Sequence, residues 1–238
     1  MKRQFVDLHL RLNLKDQKTS QRIIIKAEKL GYSKVGIPNQ ETFAEQINNL
    51  GLQTNIDFVS RIDYRPRNQE DLTRFLRKYR RKYEIVCVQC ENKETARQAA
   101  KDRRVDLLNF PSLDYHRRFF DRAEAELSSK CQTAFEIDIK PLLVLEGPPR
   151  TRLLSMLQRE VALALRFHVP IVISSGVFEE KFLRKPRDMA SLGLLFGLGE
   201  KESLDAVSTN PSTIIDRNRE KLSSSFIAPG IKLLKEGK

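Results

Sequence analysis

The chain has 238 residues, about 40% of them apolar, and its 43 Lys and Arg against 31 Asp and Glu leave a net charge of +12. That is enough apolar material for one substantial core, and an isoelectric point near 9.7 favours a polyanionic partner. No apolar run reaches the roughly 18 residues of a membrane span, the start MKRQFVDLHL does not read as a cleavable leader, and Cys87, Cys90 and Cys131 are too few for a secreted disulfide scaffold, so the expectation is a cytoplasmic protein with no membrane partner.

Strand-type runs alternate with segments of helical periodicity along the chain. The first run, Phe5 to His9, is followed by Ile23, Ala27 and Leu30 at helical spacing, with Gly31 to end the helix. The second, Lys34 to Ile37, precedes Asn39 and the stripe Phe43, Ile47 and Leu50, closed by Gly51. Ile56 to Ile62 leads to Asn68 and the stripe Leu72, Phe75, Leu76 and Tyr79; Ile85 to Gln89 leads to Asn92. Asparagine suits each of these starts because its side chain accepts from an unpaired N–H of the first turn. Val105 to Asn109 is followed by Phe119, Ala123 and Leu127, and Thr133 to Ile139 by Leu153, Leu157 and Val161. Pro170 to Ser174 is the seventh run and Leu204 to Ser208 the eighth, after which Asn210-Pro211 should open a helix through Ile214 and Ile215. Eight such units predict a (β/α)8 TIM-like barrel of the α/β class over residues 1–222, with a loosely held tail over 223–238; an open doubly wound sheet is the alternative.

In a barrel, functional side chains gather where the strands end. The rim would carry Asp7, His9 and Arg11, then Asp63 and Arg65, Asp138, Ser174 and Ser175, and Ser208 and Thr209. Asp7-x-His9 is the candidate metal motif, because alternate strand residues point the same way. It resembles the His-x-His that ends the first strand of the polymerase and histidinol phosphatase family of barrel phosphoesterases. Arg11 stands where the second histidine would be, a guanidinium cannot ligate a cation, and His116 and His168 fall near predicted helices. No catalytic residue and no metal ligand is therefore assigned; Asp7, His9, Asp138, Ser174 and Ser175 are expected to form a structural or RNA-facing polar cluster. Cys87-x-x-Cys90 has no second pair and reads as core, and Ser174-Ser175-Gly176 lacks the frame of a hydrolase nucleophile.

Charge is more informative. Between Arg61 and Lys82 nine basic residues face three acids, so half of the net charge lies in 22 residues. A helix burying Leu72, Phe75, Leu76 and Tyr79 would turn Arg74, Arg77, Lys78 and Arg81 to solvent, a form suited to tracking phosphates. The candidate RNA-binding residues are Arg11, Arg65, Arg67, Arg77, Arg81, Arg117, Arg118, Arg150, Arg152, Lys181 and Arg184.

FVDLHLR at the start, KLGYSKVGI, ARQAAKDRRVDLLNFP, IVISSGV and DAVSTNP together resemble ribonuclease P protein component 3 over about residues 4–222. The resemblance implies a barrel related to the metallo-phosphoesterases but acting as a non-catalytic subunit of ribonuclease P. In that ribonucleoprotein a catalytic RNA, which requires magnesium, removes the 5′ leader of precursor tRNA. It further implies partnership with the ribonuclease P RNA, with ribonuclease P protein component 2 and other subunits, indirect contact with precursor tRNA, and no cofactor bound by the protein. A metal-dependent phosphoesterase and a generic RNA-binding scaffold are the alternatives.

Overall fold

The computed structural model describes residues 3–13, 16–38, 47, 51, 53–111, 118–228 and 231–232. The strands are β1 (Phe5–Asp7), β2 (Tyr32–Pro38), β3 (Asp57–Tyr64), β4 (Ile85–Gln89), β5 (Leu107–Asn109), β6 (Ala134–Asp138) and β7 (Ile171–Ser174). All pair in parallel and in chain order, which is the order of a barrel; a doubly wound sheet would reverse direction partway. Beyond β7 the chain returns to β1: Leu10 bridges Val177, Arg11 N donates to Val177 O at 2.9 Å, and Gly176 N donates to His9 O at 2.9 Å.

The expected eighth strand is not formed. Leu204 to Ala206 belongs to a helix, α8 (Glu200–Ala206), and the following Val207 and Ser208 turn; only Val207 O reaches β1, accepting from Val6 N at 2.9 Å. The segment EKESLDA is rich in helix formers, and Ser203 and Ala206, three apart, are the residues it buries, so helical periodicity wins over a short apolar run.

The remaining helices are α1 (Gln17–Leu30), α2 (Gln69–Tyr79), α3 (Lys93–Ala100), α4 (Arg122–Cys131), α5 (Lys140–Val144), α6 (Gly147–Arg166), α7 (Pro186–Leu195) and α9 (Thr209–Leu222). Asn68 and Asn92 cap α2 and α3 as expected, accepting from Asp71 N and Thr95 N, and Gly31 ends α1 in the left-handed region. Asn210 does not cap α9, whose first residue is Thr209; its amide donates instead to Ile171 O at 2.8 Å. Asn39, Phe43 and Leu50 lie outside the described residues.

Alternation along each strand divides the barrel into an outer core under the helices and an inner one. Val6, Leu8, Val59, Ile85, Cys87, Leu107, Ala134 and Val172 fill the inner core, and Ile214 and Ile215 of α9 close it from the end where the strands start. Cys87 is thus a barrel-interior side chain, as expected. On β2 the inner space beside Leu8 belongs to Gly36, where a Cβ would stand 2.4 Å from Leu8 O. The last segment forms a hairpin of β8 (Phe226–Ala228) and β9 (Ile231–Lys232). Among the described residues no helix is long and apolar enough to cross a membrane.

Candidate functional site at the mouth of the barrel

Toward the strand ends the barrel interior changes from apolar to charged. Two residues past Val59 on β3, the same face carries Arg61 and then Asp63; two past Ala134 on β6, it carries Glu136 and then Asp138. Arg61 is fully buried. Its Nη1 and Nη2 donate to Glu136 Oε1 and Oε2, each at 2.6 Å, its Nε donates to Asp63 Oδ1 at 2.6 Å, and Nη1 also reaches Leu8 O at 2.8 Å. The planar fork matches the carboxylate, which is how a full charge can be kept away from water here. Asn109 donates to Glu136 at 2.9 Å and to Asp138 at 3.1 Å, and Ser174 Oγ donates to Glu136 at 2.7 Å.

His9 joins this network from β1. Its Nδ1 lies 2.8 Å from Asp138 Oδ1, and its Nε2 lies 3.2 Å from Asp63 Oδ2 and 2.9 Å from Arg11 Nε. Burial and the Arg61 charge push its pKa down, but Asp138 and Asp63 outweigh them and raise it to about 9. The imidazolium donates to both carboxylates; only the neutral ring can accept from Arg11. Asp63 is held well below the ordinary carboxylate range: burial would raise it, and Arg61 and His9 overcome that.

Asp7 does not share the site with His9. The chain bends at Leu8, so Asp7 Oδ1 instead accepts from Ser175 N at 2.9 Å and His9 N at 3.1 Å, tying the end of β1 to the end of β7. Its other oxygen has no hydrogen-bond partner among the described residues, and burial raises its pKa despite those bonds. Ser175 Oγ donates to His9 O at 3.2 Å. Gly176 then passes close over Asp138: its φ is +64°, and a Cβ there would stand 2.8 Å from the Asp138 carboxyl carbon.

One ligand atom each from His9, Glu136 and Asp138 lies within 4.8 Å of the others, the spacing of a cation site. Glu136 has both oxygens on Arg61 and His9 Nδ1 faces Asp138, so a divalent ion would have to displace the guanidinium from Glu136 and the imidazole from Asp138. This donor set does not fit a resident metal. Above it lies a cavity of about 580 Å³, lined by Arg11, Arg65, Asn109, Asp138, Lys140 and Phe178 among others. Lys140 Nζ sits 3.2 Å over the Phe178 ring. Among the described residues no side chain there is placed as a nucleophile with a base beside it.

The basic residues nominated from the sequence do not form one surface. Arg11 and Arg65 stand at the mouth, Arg65 against Glu91 at 3.1 Å; Lys181 pairs with Glu179 at 2.7 Å, and Arg184 Nη1 donates to Lys181 O at 2.7 Å. Arg67 and Arg77 are exposed beside or on α2, Arg150 and Arg152 on α6, and Arg81 lies at the opposite pole. Arg118 is not available to RNA: it is buried, paired with Glu160 under α6 and donating to Phe110 O at 3.0 Å. Arg117 lies outside the described residues. Arg61, counted from the sequence in the basic run, points inward instead. Sequence reasoning missed it with Glu136 and Asn109, although its spacing from inward-facing Val59 carried the signal.

A family model described as RNase P subunit p30 matches residues 4–223. Ribonuclease P protein component 3 of Methanosarcina barkeri is 31% identical over 212 residues, covering 89% of this chain and 87% of that protein. Its counterpart in Methanosarcina acetivorans is 32% identical over 70% of this chain and 69% of its own length. Among solved structures, a chain in the cryo-EM structure of archaeal ribonuclease P with mature tRNA superposes with a TM-score of 0.82 at 20% identity, covering 98% of this chain and 99% of that one. A prolidase superposes with a TM-score of 0.59 at 12% identity over 97% of this chain and 78% of its own, a likeness of fold alone. By the match over nearly its whole length and by its relatives, the chain belongs to the RNase P subunit p30 family.

Proposed function

We infer that this chain is a protein subunit of ribonuclease P that supports the catalytic RNA in removing the 5′ leader of precursor tRNA. The family match over residues 4–223 carries the reading. The mouth of the barrel agrees with it, because Arg61 occupies both oxygens of Glu136, a carboxylate that a metal hydrolase would need free. The chain works in the cytoplasm beside ribonuclease P protein component 2 and other subunits, meets precursor tRNA through the particle, and holds no cofactor of its own; magnesium serves the RNA subunit. Its net charge of +12 offsets repulsion between catalytic and substrate RNA that free magnesium would otherwise screen.

Reconstitution tests this. Added with its partner to the cognate RNA subunit, the protein is expected to accelerate leader removal most at low magnesium, with the gain shrinking as magnesium rises. Alone it cleaves no precursor tRNA. Cleavage without any RNA subunit, or a particle indifferent to omission of the chain at every magnesium concentration, refutes the reading.

A further inference from the structure

At the pole opposite the mouth, the end of α2, the turn before β5 and the end of α9 bring Arg80, Arg81, Arg103, Arg104 and Lys221 around a cavity of about 510 Å³. Phe226 and Ile227 of the C-terminal hairpin form its apolar wall. The acids nearby are already taken. Asp102 receives Arg104 through Nε at 2.9 Å and Nη2 at 2.6 Å, while buried Asp106 accepts from Val86 N at 2.9 Å, Arg217 at 3.0 Å and Arg80 at 3.4 Å. Arg81, Arg103 and Lys221 are left facing one cavity with no ion pair among the described residues. Like charges gathered without counter-ions repel, and Lys221 registers it: burial, Arg217, Arg80 and Arg103 hold its amine below the usual range against the pull of Asp106.

We propose that this pole is an RNA-backbone site, in which Arg81, Arg103 and Lys221 hold phosphate oxygens and Phe226 and Ile227 carry the apolar face of a ribose or base. The proposal rests on the subunit reading above and adds where on the chain the RNA lies. Phosphates fit because two arginine forks and an ammonium offer many donors to tetrahedral anions, and an anion relieves the repulsion. Arg74 and Arg77 are exposed on α2 and Arg81 is exposed in the turn just past its end, so a basic run leads from the helix toward the cavity. Contacts of this kind read no bases and make affinity steeply salt-dependent.

The test uses the full chain with its partner protein and, as probe, the RNA subunit from the same cells. Arg103→Ala with Lys221→Ala removes two unpaired cations, so melting temperature is expected to stay at the wild-type value. Affinity for the RNA falls about tenfold, and the log–log salt slope flattens by roughly 1.4 to 1.8 for two lost contacts. Independently, acylation of Lys221 by an amine-reactive ester is rapid in the free protein and suppressed when the RNA is bound. If RNA binds with unchanged affinity and slope and leaves Lys221 equally reactive, the site is refuted and the subunit reading stands. If the wild-type chain and its partner do not bind the RNA at all, both fall.

Discussion

Arg61→Met tests the central claim that an internal cation holds the barrel mouth together. The substitution keeps an unbranched side chain of similar reach and deletes the charge. It removes the four hydrogen bonds to Glu136, Asp63 and Leu8 O and leaves the buried Glu136 carboxylate and that of Asp63 without the cation that bridges them. Breaking one side of a buried pair costs about 3 to 5 kcal/mol, a large part of a typical stability of roughly 5 to 15 kcal/mol. At about 2 to 4 °C per kcal/mol for a chain of this size, melting should fall by roughly 6 to 20 °C. Urea denaturation and calorimetry read the loss. Adding Glu136→Met to the same chain should recover much of it, because two apolar side chains then pack where two charges stood. Removing Arg61 also frees the two Glu136 oxygens it occupies, so zinc should stabilise Arg61→Met by about 2.7 kcal/mol at a hundredfold excess over its dissociation constant and leave the wild type unmoved. A single variant as stable as wild type, or losses that add in the double variant, would refute the reasoning.

Two further outcomes follow from the same site. His9 has a folded pKa raised to about 9 against an ordinary 6.5, so its contribution is whole below about 6.5 and is lost as pH rises through about 9. On the order of 3 kcal/mol is at stake, and thermal melting from pH 6.5 to 10 should show an alkaline decline that His9→Gln flattens; equal declines in both proteins would count against it. Asp63, whose pKa is lowered, works in the other direction, its contribution being lost as pH falls below the ordinary carboxylate range. Gly176→Ala forces a side chain into φ +64° and onto the Asp138 carboxyl, so urea denaturation should show a loss of at least about 1 to 2 kcal/mol; a stability equal to wild type would mean that the turn relaxes freely.

Seven of the eight strands could be placed from the sequence because each is a short apolar run bounded by polar turns, and Ile85–Gln89 coincides with its run residue for residue. The eighth failed because LDAVS has the length and polarity of a strand while its upstream neighbours EKE favour a helix, and only the packing of Ser203 and Ala206 decides between them. His9 and Asp138 were legible because both stand at or near the end of a strand-type run in the sequence. Arg61 was not, because a charge in a basic run reads as solvent-exposed until something shows a carboxylate waiting inside; the alternation with Val59 was visible, the bidentate bond to Glu136 was not. Arg118 misled for the same reason, its partner Glu160 lying 42 residues away.

The helix that stoppers the barrel also sets the timetable of its birth on the ribosome. The inner lining starts at Val6, yet Ile214 and Ile215, which seal it, are translated about nine-tenths of the way along the chain. Until they emerge, the apolar lumen stays open to water and the start of β1 lacks the acceptor that Val207 will give it. Contacts this distant in sequence close slowly and leave strand edges exposed meanwhile, so a nascent chain stalled before α9 is the form that chaperones should hold.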